Sequence, residues 1–560
     1  MNSRISSVES TTKIPAREQF YDGTWRFLNY QKDLLRNGLD AVESGSKITT
    51  ITHSMFYPGT ADTVGIGARW GTFARQNGAW EGQRGVVADF ATTIKKGAFH
   101  TATYLSQMYC PELVTIEDEG FLDCSYIAFS RFYMPKLEYI GARAFFSSAH
   151  IDLWKDSEYN MCIVNFPKVR YMGFQSFWVT LYITEFHIGS KHTITTTDAD
   201  KTAIRNFVLN DIPANYVNNI RDLDGSNKDA NDSCYLYKTR FASMVNAKRI
   251  SVCDMGCNLP GDYAGWGQNT KVLDFPTMQF FMDHCLYNHR NTTSINIKNA
   301  LLIDNAAFMY LGFDVSTPMY IDIPECLFIG YDAFEDAMIS GVKADNLVRL
   351  GYSAFEMQHS GRGRDNLKHF YAPKLKVIDQ IAFRYCHALV DSKYSTDGGK
   401  TWTGSGDLEF PEVTTVRHQG LYDCQSVKTL RLPKCTTFGD NALSISKSGV
   451  TGVKIYLDSL SADELVWDQL VNNSTDDRGI YYAIQTNRDN IRVYCQKDSS
   501  GNYYVLRWVS SLARWCICLN SSDKKTYSHS DSDWVMHWVN PAEVWHWDGT
   551  KWSKYGNVAV

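Results

Sequence analysis

Residues able to do chemistry are present in this chain, but few stand at spacings that would let them work together. The run Asp222-Leu223-Asp224-Gly225-Ser226-Asn227-Lys228-Asp229-Ala230-Asn231-Asp232 clusters oxygen donors of the kind calcium takes. It lacks the EF-hand order of acids with Gly at six and Glu at twelve, so it reads as a solvated loop. Cys253-x-x-x-Cys257 and Cys516-x-Cys518 have no second pair at zinc-finger spacing. The 14 His include no H-E-x-x-H. Gly65-Ile66-Gly67-Ala68-Arg69-Trp70-Gly71 is not a dinucleotide fingerprint, and no βαβ pattern surrounds it. No G-x-S-x-G or P-loop occurs. Paired carboxylates for glycoside hydrolysis have no fixed sequence spacing and leave no mark here. The expectation is a non-enzymatic chain with no metal and no cofactor.

Composition narrows the partners. Lys+Arg is 56 and Asp+Glu 61, a formal net charge of −5, which gives no basic footprint for nucleic acid and no pull toward acidic membrane surfaces. With 560 residues, length alone allows two to four domains. Hydrophobic residues at 44% and charged ones at 21% place the chain outside the disordered class. The 32 Tyr, 29 Phe and 15 Trp favour β-structure and stacking surfaces. No run of about 18 apolar residues is present, so no membrane insertion is expected. Met1-Asn2-Ser3-Arg4-Ile5-Ser6-Ser7 leads into polar sequence without the apolar core of an export signal. Fourteen scattered Cys point to a reducing site of synthesis.

The elements that position these residues follow from an internal repeat. Pro135-Lys136-Leu137-Glu138-Tyr139-Ile140-Gly141-Ala142-Arg143-Ala144-Phe145 reads P-x-L-x-x-I-G-x-x-A-F, and the frame recurs from Ser46, Asp89, Pro111, Pro167, Pro276, Lys298, Pro324, Asp345, Pro373, Pro411 and Pro433. The shortest spacings between starts are 21 to 24 residues, and the longer ones hold insertions. Slots three, six and eleven stay apolar. Slot ten is often Ala (Ala98, Ala144, Ala307, Ala333, Ala354, Ala382, Ala442), small enough for coils to approach. Just upstream lie alternating tripeptides: Leu273-Asp274-Phe275, Ile295-Asn296-Ile297, Ile321-Asp322-Ile323, Leu408-Glu409-Phe410 and Leu430-Arg431-Leu432. Alternation predicts a strand with one face buried, and the following Pro ends it. One such strand per unit, stacked on the next, predicts a parallel sheet in which the stack supplies the core.

These units resemble BspA-type leucine-rich repeats, in which a short strand precedes P-x-x-x-x-I-G-x-x-A-F, often followed by Cys. Cys124, Cys386 and Cys424 keep that cysteine, which reads as a buried small filler. The resemblance covers roughly residues 46–177 and 270–470. It implies an α+β repeat solenoid with short parallel strands, and binding in place of catalysis. Such arrays occur in surface adhesins of bacteria and protists and in phage-encoded proteins. Ser395-Thr396-Asp397-Gly398-Gly399-Lys400-Thr401-Trp402 is similar to the Asp-box of sialidases and other β-propellers, where it is a structural hairpin repeated in each blade. A single copy, inserted between the repeats at Pro373 and Pro411, reads as a hairpin projecting from the solenoid.

The expected organisation is an N-terminal helical cap or anchor (1–45), leucine-rich repeats with a Gly-rich insertion at 57–88 (46–177), and an insertion (178–270). Repeats with a terminal cap (271–475) and a small Trp-rich all-β C-terminal module (476–560) follow. The cap rests on Trp25, Leu28, Leu35 and Leu39, which recur at helical spacing between Thr24 and Val42. The Val453-Lys454-Ile455-Tyr456-Leu457 stretch and the helix-like Ala462–Trp467 resemble the way such arrays end. Near the C-terminus, Val544-Trp545-His546-Trp547, Asp548-Gly549 and Trp552 predict a hairpin with a primed turn. Endings such as W-D-G-T-K-W are similar to small β-modules of phage tail and fibre proteins.

If the strands are placed correctly, their polar middle residues form an outward ladder: Tyr109, Tyr133, Asn165, Asp274, Asn296, Asp322, Tyr371, Glu409 and Arg431. Parallel strands about 4.8 Å apart would make it continuous. Its acid, amide and Tyr groups suit a glycan or a polar protein surface. Trp534, Trp538, Trp545, Trp547 and Trp552 are a second candidate, an aromatic surface. The chain is expected to be a phage virion structural and recognition protein, homo-oligomeric, with other virion proteins and a cell-surface glycan or receptor as partners. A bacterial cell-surface adhesin is the alternative.

Overall fold

Each repeat frame closes one coil with three sides, and the sides are joined coil to coil by hydrogen bonds. In the computed structural model the described residues are 49–52, 85–148 (without 89, 103, 104, 106 and 126), 162–212 (without 181), 241–255, 269–358, 364–460, 480–497, 503–510, 514–518, 543–547 and 552–557. The chain divides into two compact units, 1–202 with 218–317 and 203–217 with 318–560. No described helix is long and apolar enough to cross a membrane.

The alternation predicts one strand per coil, and the structure has two. The tripeptides form outer strands, as expected. Slots five and six form a second, two-residue strand, because an apolar residue at six is buried while five stays partly open, as at Thr93–Ile94. In the first unit these inner strands run in parallel order through Thr50–Ile51, Thr93–Ile94, Thr115–Ile116, Tyr139–Ile140, Tyr171–Met172, Val252–Cys253, Phe280–Phe281 and Leu302–Ile303. In the second unit the order is Phe328–Ile329, Arg349–Leu350, Val377–Ile378, Thr415–Val416 and Thr437–Phe438.

The third side spans slots eight to thirteen. Slot nine is left-handed in all eleven copies where it is described: Gly97, Glu119, Arg143, Gln175, His284, Ala306, Asp332, Ser353, Ile381, Gln419 and Asn441. Slot thirteen is left-handed at Thr101, Asp123, Ser147, Val179, Asn288, Tyr310, Asp336, Tyr385 and Asp423. The reason lies in the hydrogen bonding, which alternates. The N–H groups of Glu119, Phe121 and Asp123 donate to Ala142, Ala144 and Phe146 of the next coil at 2.9, 2.7 and 2.9 Å. That of Leu122 donates back to Glu119 in its own coil at 3.1 Å. A non-Gly left-handed residue costs about 1–2 kcal/mol. Three inter-coil bonds at about 1 kcal/mol each, with a buried Phe at about 1.5–3 kcal/mol, outweigh two of them.

That Phe is slot eleven. Phe99, Phe121, Phe145 and Phe177 stack at centroid spacings of 5.0, 4.9 and 5.0 Å, close to the strand spacing. Phe334 and Phe355 repeat the stack in the second unit at 5.2 Å. Slot fourteen does more than fill space. The Cys124, Cys386 and Cys424 thiols donate to the slot-eleven carbonyls of the preceding copies, Phe99, Phe355 and Phe383, at 3.0, 3.1 and 3.3 Å. Ser148 does the same to Phe121 at 2.6 Å. The cysteines whose side chains are described are all buried.

Several expected boundaries shift. Residues 85–87, placed in the Gly-rich insertion, form the strand Gly85–Val87 paired with Gln107–Tyr109. The segment 178–270 is not wholly an insertion. Glu185–Ile188 is an outer strand paired with Ile163–Phe166 and Val272–Asp274, and Val252–Cys253 is an inner strand, so one coil is opened between its two strands. The opening contains the helix Asp198–Asn210, started by a reciprocal cap. Thr197 N–H donates to Asp200 and Asp200 N–H to the Thr197 hydroxyl, at 3.0 and 3.1 Å. In the second unit, buried Arg349 closes the end of that helix by donating to the Val208 and Ile212 carbonyls at 3.1 and 2.8 Å. Position 476 is no break either. Ile491–Lys497, Tyr503–Val509 and Arg514–Cys518 continue the sheet of Val453–Leu457. The candidate helices at 24–42 and 462–467 and the Asp-rich run 222–232 lie outside the described residues.

Replacing one ring of the stack tests this account. Phe145→Ala should lower stability by about 3–5 kcal/mol in urea unfolding. It should also speed amide exchange at Phe121 and Phe177, while an unchanged exchange pattern there would refute coil-to-coil support.

Candidate functional site

The outer strands carry the predicted ladder, but it is not continuous. Among the described residues the first unit has two outer sheets, Gly85–Val87 to Phe132–Tyr133 and Ile163–Phe166 to Ser294–Asn296. The second also has two, Met319–Asp322 to His369–Tyr371 and Leu408–Glu409 to Arg514–Cys518. The break within each unit coincides with a long coil, starting at Pro135 and at Pro373, whose insertion interrupts the register. Tyr109 and Tyr133 are register partners. The Tyr109 side chain, like those of Trp545, Trp547 and Trp552, lies outside the described residues, as do Trp534 and Trp538 entirely. The strands Glu543–Trp547 and Trp552–Asn557 do pair antiparallel, as the hairpin predicts.

In the Ile163–Ser294 sheet, Asn165, His187, Asp274 and Asn296 share one register row. His187 Nδ1 lies 3.1 Å from Asp274 and Nε2 2.8 Å from Glu185, and Asn296 donates to Asp274 at 2.8 Å. Burial alone would lower the His187 pKa, but the hydrogen bonds and charges of Asp274 and Glu185 prevail and raise it. His187 was not in the expected ladder because its strand is followed by Gly189 instead of Pro, which hides the frame.

The next row joins Asp322, Lys343 and Tyr371, with Lys343 3.6 Å from Asp322 and 2.9 Å from Asp345. Lys343 could have been found, since Val342-Lys343-Ala344 precedes the start at Asp345 in the same alternation. In the last sheet Glu409, Arg431, Tyr456 and Tyr494 align. Arg431 lies 2.7 Å from Asp407, 3.3 Å from Glu409 and 4.1 Å above the Tyr456 ring, which stacks on Tyr494 at 4.5 Å.

The Asp-box hairpin does not project. It folds back over the outer strands, and Trp402 packs on Tyr320 and His369 at 5.4 and 3.9 Å. The strand between them carries Gly341 because a Cβ there would come within 2.6 Å of the indole. The turn is braced from outside by the Tyr320 hydroxyl, which donates to the Ser395 carbonyl at 2.8 Å and accepts from the Ser395 N–H at 2.9 Å, and from inside by its own side chains. Asp397 accepts the N–H groups of Lys400 and Thr401 at 3.0 and 2.9 Å and the Ser395 hydroxyl at 2.7 Å. The Thr401 N–H, with the Ser395 hydroxyl, holds the Asp397 carboxyl well below the usual carboxylate range. Every one of these contacts is structural.

On the third side buried Glu335, Asp336 and Glu356 form an acid cluster with the partly exposed Asp332. Ser353 and Arg384 satisfy Glu356. Burial first, and then the Asp332 charge and its hydrogen bond, raise the Glu335 pKa to about 10, so it keeps its proton at neutral pH. Among the described residues no group of three or more His, Cys, Asp or Glu is placed to hold a metal ion.

A groove opens elsewhere, on the inner strands of the first unit. One part, of about 350 Å³, is lined by Tyr139, Arg170, Tyr171, Ala242, Val245, Asn246, Val252, Phe280 and Met282. An adjoining part, of about 430 Å³, is lined by Val114, Thr115, Glu117, Glu138, Tyr139, Arg170 and Lys248. The helical residues 241–246 form its wall, held by Phe241 edge-on to Phe280 at 5.8 Å and by Arg170 donating to the Val245 carbonyl at 3.3 Å. Sequence reading missed this site because the groove exists only where the opened coil returns.

Two titrations follow. His187 should titrate above 6.5 by NMR, and Asp274→Asn should bring it down, while an unmoved His187 would refute the pairing. Glu335 has a folded pKa above its ordinary 4.5, so its contribution to stability is full below 4.5 and lost as pH rises toward about 10. In urea unfolding, Glu335→Gln should therefore be the more stable protein at alkaline pH and lose that advantage in acid.

Comparison with known families bears on the coils alone. Residues 86–201 match the family model described as BspA type Leucine rich repeat region, in six copies. No curated protein matches the chain. The chain carries a BspA-type leucine-rich repeat region, a scaffold suited to protein interaction, and its later coils repeat the same frame.

Proposed function

We propose that the chain is a non-enzymatic structural and recognition protein of a bacteriophage virion, presenting its coils to a host-cell glycan or receptor and to other virion proteins. The observation that carries this reading is the registered outer face. His187, Asp274 and Asn296 in one sheet, and Glu409, Arg431 and Tyr456 in another, are fixed by their own ion pairs, amide contacts and stacking. A polar pattern already held in shape loses little entropy on binding, which favours recognition. Mutual pairing also leaves these groups poorly suited to moving protons to and from a substrate. The virion setting draws support from the W-D-G-T-K-W ending, whose flanking strands pair antiparallel. A second reading, a bacterial cell-surface adhesin for a glycan or host protein, draws on the BspA-type region.

Solution mass by light scattering separates the two. A virion component should be a homo-oligomer that dissociates when residues 1–45 or 541–560 are removed. A monomer at every concentration and truncation would overturn assembly through the termini and favour the adhesin.

A further inference from the structure

We infer that the groove over the inner strands of the first unit binds a carboxylated sugar, a uronate- or sialate-type residue of an acidic saccharide. Arg170 and Lys248 would take its carboxylate, and the apolar wall its ring. The inference rests on the recognition reading above and adds a site on a different side of the coil.

Charge selects the ligand. Two cations stand at one carboxylate, with Lys248 Nζ 2.8 Å and Arg170 Nε 3.5 Å from Glu138. The neighbouring acid, Glu117, is taken by Lys95 at 2.6 Å. The groove therefore keeps one positive charge without a matching acid among its described ion pairs. Arg170 is the deeper cation, its side chain 11% exposed, and Lys248 is open at 57%. An anion meeting both would gain the remaining guanidinium nitrogen of Arg170, whose Nε faces Glu138 and whose Nη1 holds the Val245 carbonyl, within a partly dry wall, and an ammonium at the rim. His192 reports the same field, since burial and then Arg170 lower its pKa.

Shape selects the rest. Tyr139 and Tyr171 stack with centroids 4.5 Å apart and planes 3° from parallel, and both line the groove. Ala242, Val245, Val252 and Met282 add an apolar side, while Thr115 and Asn246 add neutral polar groups. A pocket of a few hundred Å³ with an apolar wall and a few convergent polar groups is of ligand size. A sugar ring offers one apolar face and many hydroxyls, and its carboxylate answers the unmatched cation. An extended acidic peptide would supply the charge but no rigid ring for the tyrosine side.

Titration calorimetry on the full chain tests this, using N-acetylneuraminic acid and trigalacturonic acid, their methyl esters, and a tetraglutamate peptide. At least one acid sugar should bind, more weakly as salt rises, with its ester about tenfold weaker or worse. Lys248→Ala should weaken binding and Ala242→Trp, which fills the groove, should abolish it, with thermal unfolding unchanged in both. Failure of both acid sugars, equal binding of the esters, tighter binding of tetraglutamate, or indifference to Ala242→Trp would each overturn the inference. Cell adsorption by the Ala242→Trp chain separates the two levels. Retained adsorption without sugar binding refutes this groove as the recognition site and leaves the scaffold reading intact.

Discussion

The alternation of hydrogen bonds on the third side is the constraint from which the rest of the coil follows. Odd slots donate to the next coil and even slots donate within their own, and no single right-handed conformation satisfies both directions. Left-handed residues are the solution, at slot nine in all eleven described copies and at slot thirteen in nine of them. They turn the chain sharply enough that slot eleven points inward between them. Phe then fills the interior at a spacing set by the backbone, and slot ten must be small where the next coil passes. The cysteines at slot fourteen belong to the same scheme, because a thiol reaches the slot-eleven carbonyl while remaining small and mostly apolar. What looks in sequence like a list of preferred apolar residues is one geometric condition met repeatedly.

That condition uses nearly all the backbone hydrogen bonding of a coil, so variety enters through insertions and through the outward positions. The insertions are not loose additions. The Asp-box hairpin seats Trp402 against a glycine that exists to admit it. The opened coil sends out a helix whose start is capped by Thr197 and Asp200 and whose end is bound by Arg349. Each inserted element therefore reads a specific outward residue on a coil. This explains why Arg349 is charged yet buried at a slot that is Thr in several other copies.

Legibility in the sequence followed periodicity. Slots three, six and eleven repeat at fixed spacing, so the coil, its outer strand and its ending Pro could be read from residues alone. The inner strand was harder, since two residues carry no alternation to detect and only half of the pair is apolar. The strand Glu185–Ile188 escaped because Gly189 replaces the proline, and Val252–Cys253 because over sixty residues separate it from that strand. The ladder residues were placed on the outer strands, yet their grouping depended on where insertions break register, which no single coil encodes. The groove was beyond reach for the same reason. Arg170 and Glu138 occupy slot four of coils that look ordinary, and their partner Lys248 lies more than seventy residues on from Arg170.

Function is best sought where periodic and non-periodic parts meet. A residue facing outward in a uniform stack meets the same neighbours as its counterparts, so its charge is readily matched by the next coil, as Glu112 is by Lys136 at 2.6 Å. Where an inserted element returns to the stack, matching is no longer repeated, and an imbalance can persist because the backbone is already satisfied around it. Arg170 stands at such a place, holding a returning helical segment by its last turn while sharing Glu138 with a second cation. The coils lend that imbalance rigidity: tyrosines fixed 4.5 Å apart by their strands cannot collapse into the groove to screen the charge. A scaffold whose backbone is internally complete can thus keep an unmatched cation beside an apolar wall, the combination a charged and ring-bearing ligand requires.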